Sequence, residues 1–333
     1  MGGAALPQPI DMGLSDAQRA TFVREGAVVL PGLVSEELRA AALAALGGED
    51  RAGDDPAVLA LYHRSPLAAL FDGLLGGGTQ PVTGSQIAFR QPTPEEDLGR
   101  YMELDVESCP PLARWNGHMD GVAIHPGEHP DDPDLQAPIQ SFSCLAGVAL
   151  NDQLEPDCGN FAVQIGSHRS NAAFFAEQNE AGGPLGPGGP GWPVEPWRRE
   201  DGSNASRGSP PHLRARMVPP PTRSFGEGAA EWDGPDGGPP TSRWWPHGTQ
   251  QLLRAGDVVL AHFLTCHGEM LRHVGDRSRD MIFFRVKHRE HTTYRPAEHG
   301  QTPEAIRAAQ MLSDPWFEWV FDGPQDAEGQ ARL

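Results

Sequence analysis

Lysine is almost missing from this 333-residue chain: Lys287 is the only one, and the other cations are arginines. A site that grips a carboxylate here must therefore use a guanidinium fork rather than an ammonium point charge. Positive charge as a whole is scarce. With 26 Lys and Arg against 45 Asp and Glu, the formal net charge is −19, a field that repels polyanions and argues against a nucleic-acid partner. Cysteine is scarce too: Cys109, Cys144, Cys158 and Cys266 form no C-x-x-C pair and no framework spacing. That excludes a zinc ribbon and points to free thiols in a reducing compartment.

No apolar run reaches the length of a membrane span, so no membrane partner is expected. Met1 to Leu6 has neither a charged n-region nor a long apolar stretch, and Leu6 breaks the myristoylation pattern. The expected location is cytoplasmic, or peroxisomal if Ala331-Arg332-Leu333 is read as a C-terminal address, a tripeptide that arises easily by chance.

A hydrophobic content of 38% and a mean hydropathy of −0.45 are low for a globular protein, yet a chain of this length still buries a substantial core. The 40 glycines and 33 prolines demand long loops without reaching the level of wholesale disorder. A single domain over 1–333 with one large insertion follows. Monomer and homodimer are both open.

The first 80 residues read as mainly helical. Ser15-Asp16-Ala17-Gln18 is a capping-box start for a helix that Gly26 ends near Glu25. Ala27 to Leu30 reads as a strand, Ser35 as the cap of an Ala/Leu-rich helix running to Gly47, and Pro66 to Leu75 as a further helix behind Ser65. From Ser85 the period becomes two: Gln86 to Arg90, Ser141 to Leu150, Asn160 to Ile165, Asp257 to Phe263 and Met281 to Val286. Short strands divided by Gly, Pro and Asp turns predict a jelly-roll core over 81–178 and 251–290. Between them, 179–250 is rich in Gly and Pro without periodicity, yet it holds Trp192, Trp197, Trp232, Trp244 and Trp245, five of the eight tryptophans. A solvated linker has little use for indoles, which favours a lid over a disordered insertion or an oligomer contact. A helix from Pro303 to Leu312 and an aromatic cluster, Pro315 to Trp319, close the 291–333 segment.

The chemistry concentrates in three places. His118 and Asp120, in Trp115-Asn116-Gly117-His118-Met119-Asp120-Gly121, lie two apart, so an extended backbone projects both from one face towards one metal. With 13 His and 23 Asp, chance alone yields about one such H-x-D, and a second occurs at His129-Pro130-Asp131 in a loop of prolines and acids. A satisfied core histidine and a turn acid are therefore an equal alternative for His118 and Asp120. The next strand end offers a third ligand, with His262 and His267 in competition. His262 sits between apolar Ala261 and Phe263, whereas His267 precedes Gly268 where a side chain can reach a barrel mouth. Beyond them, Arg277 and Arg279 open a strand on which Arg279, Met281, Phe283 and Arg285 share a face; a surface ion pair with Asp276 or Asp280 is the plainer role for either arginine. Two imidazoles, one carboxylate and one guanidinium are what an Fe(II) site using a 2-oxo acid and oxygen requires: three ligands on one face of the metal, with the remaining positions open.

These residues resemble the phytanoyl-CoA dioxygenase family of Fe(II)/2-oxoglutarate-dependent oxygenases. Phe22 to Leu33 is similar to the family's opening helix and strand. Asp157-Cys158-Gly159-Asn160 with Ile165-Gly166-Ser167-His168-Arg169 resembles its central strand and a Gly-Ser-His turn, and Gly256 to Leu260 with His262 and His267-Gly268 resembles the segment carrying the second histidine ligand. The resemblance implies a double-stranded β-helix of the jelly-roll, cupin-like kind with flanking helices. It implies His118, Asp120 and His267 as iron ligands and Arg279 as the 2-oxoglutarate anchor. The interval from His267 to Arg279 is one residue longer than the family's, which keeps Arg277 as the alternative. His168 reads as a structural turn residue. Gln86, Trp115, Trp244 and Trp245 are the substrate-pocket candidates, and no acid or base separate from the iron site is assigned.

The implied activity consumes Fe(II), 2-oxoglutarate and O2, releases succinate and CO2, and hydroxylates an unactivated C–H of a small lipid-like or specialised-metabolite substrate. Retention of Asp120 disfavours halogenation, which in related enzymes replaces the carboxylate by a small residue. Desaturation, epoxidation or cyclisation on the same fold, a zinc-dependent hydrolase and a non-catalytic jelly-roll binding protein are the alternatives. A CoA thioester would need a basic patch, which Arg198, Arg199, Arg207, Arg214 and Arg216 could supply.

Overall fold

The computed structural model describes residues 13–48, 51–75, 78–97, 119–120, 142–182, 248–270 and 272–291. Trp115, His118, His129-Pro130-Asp131, Trp244, Trp245, 183–247 of the proposed lid, the expected helix from Pro303 to Leu312 and the aromatic cluster after it lie outside these residues.

Local signals set the N-terminal helices. In α1, Asp16–Glu25, the Ser15 hydroxyl accepts from the Gln18 amide at 3.3 Å while Gln18 Oε1 accepts from the Ser15 amide at 2.9 Å, a reciprocal capping box. Gly26 ends the helix at φ 79°, and β1, Ala27–Leu30, follows at once. Helix α2, Glu36–Leu46, starts behind Ser35. Helix α3, Pro56–His63, is an addition to the expected set, with Asp55 accepting from the Ala57 amide at 2.7 Å and proline in the first turn. Helix α4, Leu67–Leu74, is one residue shorter at each end than expected, and the Ser65 hydroxyl accepts from the Leu67 amide at 3.2 Å.

The strands are β2, Gln86–Arg90; β3, Cys144–Ala149; β4, Phe161–Val163; β5, Thr249–Gln250; β6, Val258–His262; β7, His267–Glu269; and β8, Arg279–Val286. They form a five-stranded sheet in the order β1-β6-β3-β8-β2 and a three-stranded sheet in the order β5-β4-β7. Every pairing is antiparallel. Strands β3 and β6 are buried at every position, so they read as continuous apolar runs rather than alternating ones. The sheets meet through Phe161 and Phe283, whose ring centroids are 5.1 Å apart. On the other side Tyr62 of α3 stands 5.5 Å from Phe284, seating the helices on β8.

The largest departure from expectation is α5, Ser167–Glu180, where a Gly-Ser-His turn was expected. Its sequence is polar, and no side chain caps its start. Burial of Ala172, Phe174 and Phe175 stabilises it instead. The helix and its closing turn, with β5 at the far side, also take residues 179–182 and 249–250 out of the expected insertion. The described cysteines, Cys144, Cys158 and Cys266, are free thiols. Among the described residues no helix is long and apolar enough to cross a membrane.

Candidate metal centre and anion site

His262 and His267, expected at one strand end, belong to different sheets. The chain leaves β6 at His262, turns through Phe263, Leu264 and Thr265, and enters β7 at His267. The turn is pinned from several sides. The Thr265 amide donates to His262 O at 2.8 Å, its hydroxyl donates to Gly26 O at 2.8 Å, and the Cys266 amide donates to the Ser167 hydroxyl at 2.8 Å. Ser167 thus acts by setting the backbone one residue before His267. Gly26 permits this crossing. A Cβ there would come within 2.5 Å of both His168 Nδ1 and Thr265 Oγ1, and its φ is left-handed.

His262 is a core residue: its Nδ1 accepts from the Leu264 amide at 3.2 Å, and its ring stacks on Phe263 with centroids 4.3 Å apart. His168, in the first turn of α5, is buried as well and meets Val23 O through Nε2 at 3.0 Å. Burial, seconded by neighbouring His262, lowers its pKa from 6.5 to about 3. The unfolded chain takes up this proton below about pH 6.5 while the folded chain refuses it until about pH 3. Stability from this group is therefore complete above 6.5 and falls by about 1.4 kcal/mol per pH unit on acidification through that window. Denaturant midpoints measured from pH 7 to 4 should drop steeply in the native protein and less steeply in His168→Gln; parallel slopes would disprove the assignment.

His267 differs from both. Its Nδ1 lies 3.0 Å from Thr265 O, and a carbonyl oxygen only accepts. In the neutral ring Nδ1 therefore carries the hydrogen, and Nε2 keeps its lone pair. That Nε2 stands 3.8 Å from Asp120 Oδ2, with 6% and 14% of the two side chains exposed. Two bonds of about 2.1 Å reach across such a gap, so one ion can hold both atoms. The N and O donors suit a divalent first-row metal. Asp120 lies in a turn rather than on the extended backbone expected for it. Asn171 of α5 ties this turn to the β6–β7 connection, its amide nitrogen meeting Met119 Sδ at 3.6 Å and Leu264 O at 2.7 Å. Among the described residues no cluster of three His, Cys, Asp or Glu forms.

The two arginines compared in the sequence separate cleanly. Arg277 is exposed, whereas Arg279 is 3% exposed at the start of β8. Asn151 fastens the preceding turn by donating to Ser278 O at 2.7 Å. Arg279 Nε donates to Gly159 O at 2.7 Å and Nη1 to Ala88 O at 2.9 Å, while Nη2 pairs with the Glu269 carboxylate. Burial lowers the guanidinium pKa, and Glu269 opposes the shift. A cleft of about 250 Å³ is lined by His267, Glu269, Arg279, Arg285, Phe161 and Phe283 among others, with Gln86 also on its wall.

Arg285 and Glu269 carry charges in this cleft that sequence reasoning did not assign. Arg285 holds Asp120 Oδ2 through Nε at 2.9 Å and Nη2 at 2.8 Å, and it lies over the Phe142 ring at 5.7 Å. The period-two pattern of β8 placed Arg285 on the face of Arg279, and β7 places Glu269 on that of His267. Those alternations were the signals that could have found them.

No family model matches the chain, and no curated protein matches it. Among solved structures it is similar to HygX from Streptomyces hygroscopicus with nickel, 2-oxoglutarate and hygromycin B bound, at 16% identity over 85% of this chain and 90% of that one, TM-score 0.45. It is also similar to SnoK, a non-heme alpha-ketoglutarate-dependent carbocyclase from nogalamycin biosynthesis, at 18% identity over 82% and 83%, TM-score 0.43. A third likeness is to SnoN, a non-heme alpha-ketoglutarate-dependent epimerase from the same biosynthesis, at 16% identity over 84% and 81%, TM-score 0.44.

Proposed function

We propose that this chain is an Fe(II)- and 2-oxoglutarate-dependent dioxygenase with a double-stranded β-helix core, hydroxylating an unactivated C–H of a small lipid-like or specialised-metabolite substrate. The observation that carries the reading is one cleft lined by an imidazole, its lone-pair nitrogen 3.8 Å from a carboxylate, and by a buried arginine. The interleaved strand order, β6 between β1 and β3 and β8 between β3 and β2, supports the fold.

In this reading His118, Asp120 and His267 hold the metal, and Arg279 receives the distal carboxylate of 2-oxoglutarate. When bound, the iron with its cosubstrate and O2 supplies the oxidative decarboxylation that releases succinate and CO2 and activates the substrate C–H. The protein's part is positional. Thr265 O fixes the His267 tautomer, and Arg285 orients Asp120 by two hydrogen bonds on one oxygen. Phe161 and Phe283 keep water from the inner wall, and Gln86 offers a hydrogen-bonding group for substrate.

Anaerobic addition of Fe(II) and 2-oxoglutarate should produce the visible charge-transfer absorption of the chelated cosubstrate. No band in a folded, metal-loaded protein would sink the proposal and return the zinc hydrolase and the binding protein to the front. Succinate formation across acyl-CoAs, free acids, amino acids and polycyclic compounds then identifies the substrate class, whether hydroxylation or another outcome follows.

A further inference from the structure

Arg279 is not waiting empty-handed for an anion. A carboxylate of the protein itself, Glu269, already sits on its Nη2, while two backbone carbonyls take Nε and Nη1. Glu269 lies two residues after His267 on β7, so both side chains face the cleft. An incoming carboxylate that seeks the guanidinium must therefore compete with one that the chain supplies.

The structure also provides a place for Glu269 to go. Its other oxygen, Oε1, lies 3.9 Å from Arg90 Nη1, and 30% of the Glu269 side chain is exposed, against 3% of Arg279. Arg90 is held beside Arg279 by Gly159, whose own carbonyl accepts from Arg279 and whose missing Cβ would come within 2.6 Å of the Arg90 stem. Two guanidinia thus flank one carboxylate. A rotation of Glu269 towards Arg90 keeps its charge paired and leaves Nη2 of the buried arginine to a ligand.

We propose that Glu269 is an internal occupant of the carboxylate subsite, displaced onto Arg90 when a dicarboxylate binds Arg279, and that it sets the affinity and selectivity of that subsite. The proposal rests on the functional reading above for the identity of the dicarboxylate, but not for the competition itself. A displaced carboxylate costs binding free energy that a ligand without a carboxylate never meets. Removing Glu269 should therefore tighten carboxylate ligands selectively over neutral ones.

The test uses calorimetry on the full chain with glutarate, a plain dicarboxylate that needs no metal, in the native protein, Glu269→Gln and Glu269→Ser. Gln keeps an acceptor on Arg279 and guards the fold; Ser empties the position. Glutarate should bind about 10-fold more tightly to Glu269→Ser, by an intermediate factor to Glu269→Gln, and pentanamide, which carries no carboxylate, should be unchanged. Equal or weaker glutarate binding in folded variants, or no binding to any of the three proteins, overturns the proposal. The Fe(II)/2-oxoglutarate absorption band separates the two readings. Tightened glutarate without the band leaves Glu269 in its role and removes the iron oxygenase. The band without tightening does the reverse.

Discussion

His267→Ala is expected to abolish the charge-transfer band of the Fe(II)/2-oxoglutarate complex and to lower metal affinity by more than about 100-fold, beyond what losing an outer-shell partner of a ligand costs. His267 has its Nδ1 committed to Thr265 O and its Nε2 turned to Asp120, so the ring packs as a donor rather than as filler. The control is His262→Ala, five residues earlier and equally buried. Its ring stacks on Phe263 and its Nδ1 takes the Leu264 amide, so its loss should cost about 2–4 kcal/mol in denaturant unfolding through a cavity and an unsatisfied amide. The band should survive at temperatures where the variant is folded. Metal titration followed by absorption decides the matter: a band retained in His267→Ala, or lost in folded His262→Ala, reverses the ligand assignment.

Arg279→Met and Arg277→Met should behave as opposites. Arg279 is 3% exposed and donates to Gly159 O, Ala88 O and Glu269, so its removal takes a donor from two carbonyls and the nearer guanidinium from Glu269. A loss of about 3 kcal/mol in stability is expected from breaking a buried pair, together with loss of 2-oxoglutarate binding. Arg279→Lys should recover part of the stability, since an ammonium reaches an acceptor but cannot span the three directions of the fork. Arg277 is exposed, and its replacement should shift stability by less than about 0.5 kcal/mol and leave cosubstrate affinity unchanged. Calorimetric 2-oxoglutarate titrations of both variants check this, and normal binding by folded Arg279→Met would remove Arg279 from the site.

Whether an element was legible in the sequence depended on the range of the interactions that stabilise it. Helix α1 was readable because Ser15, Gln18 and Gly26 complete its ends within the helix itself. Helix α3 was equally local, and the cap Asp55 before Pro56 was there to be read. Helix α5 lacks a local start signal: Gly166-Ser167-His168 looks like a turn, no side chain caps it, and packing of Phe174 and Phe175 helps hold the helix that follows. In the site, spacing placed Arg279, Phe283 and Arg285 on one face of β8, but nothing in spacing says that Arg285 spans to Asp120 or Glu269 to Arg279.

The sequence by itself therefore determined the elements whose ends are closed by neighbours in the chain, the alternation of the strands, and the supply of histidine, aspartate and arginine from which a site could be built. Only the tertiary structure decided among them. It put His262 in the core and His267 in the cleft by turning the chain between two sheets, and it buried Arg279 while leaving Arg277 in water. It also closed ion pairs over 165 residues of sequence, from Asp120 to Arg285. Charge pairing and burial depend on distance in space, and a one-dimensional pattern carries that distance only where the backbone is regular between the two residues concerned.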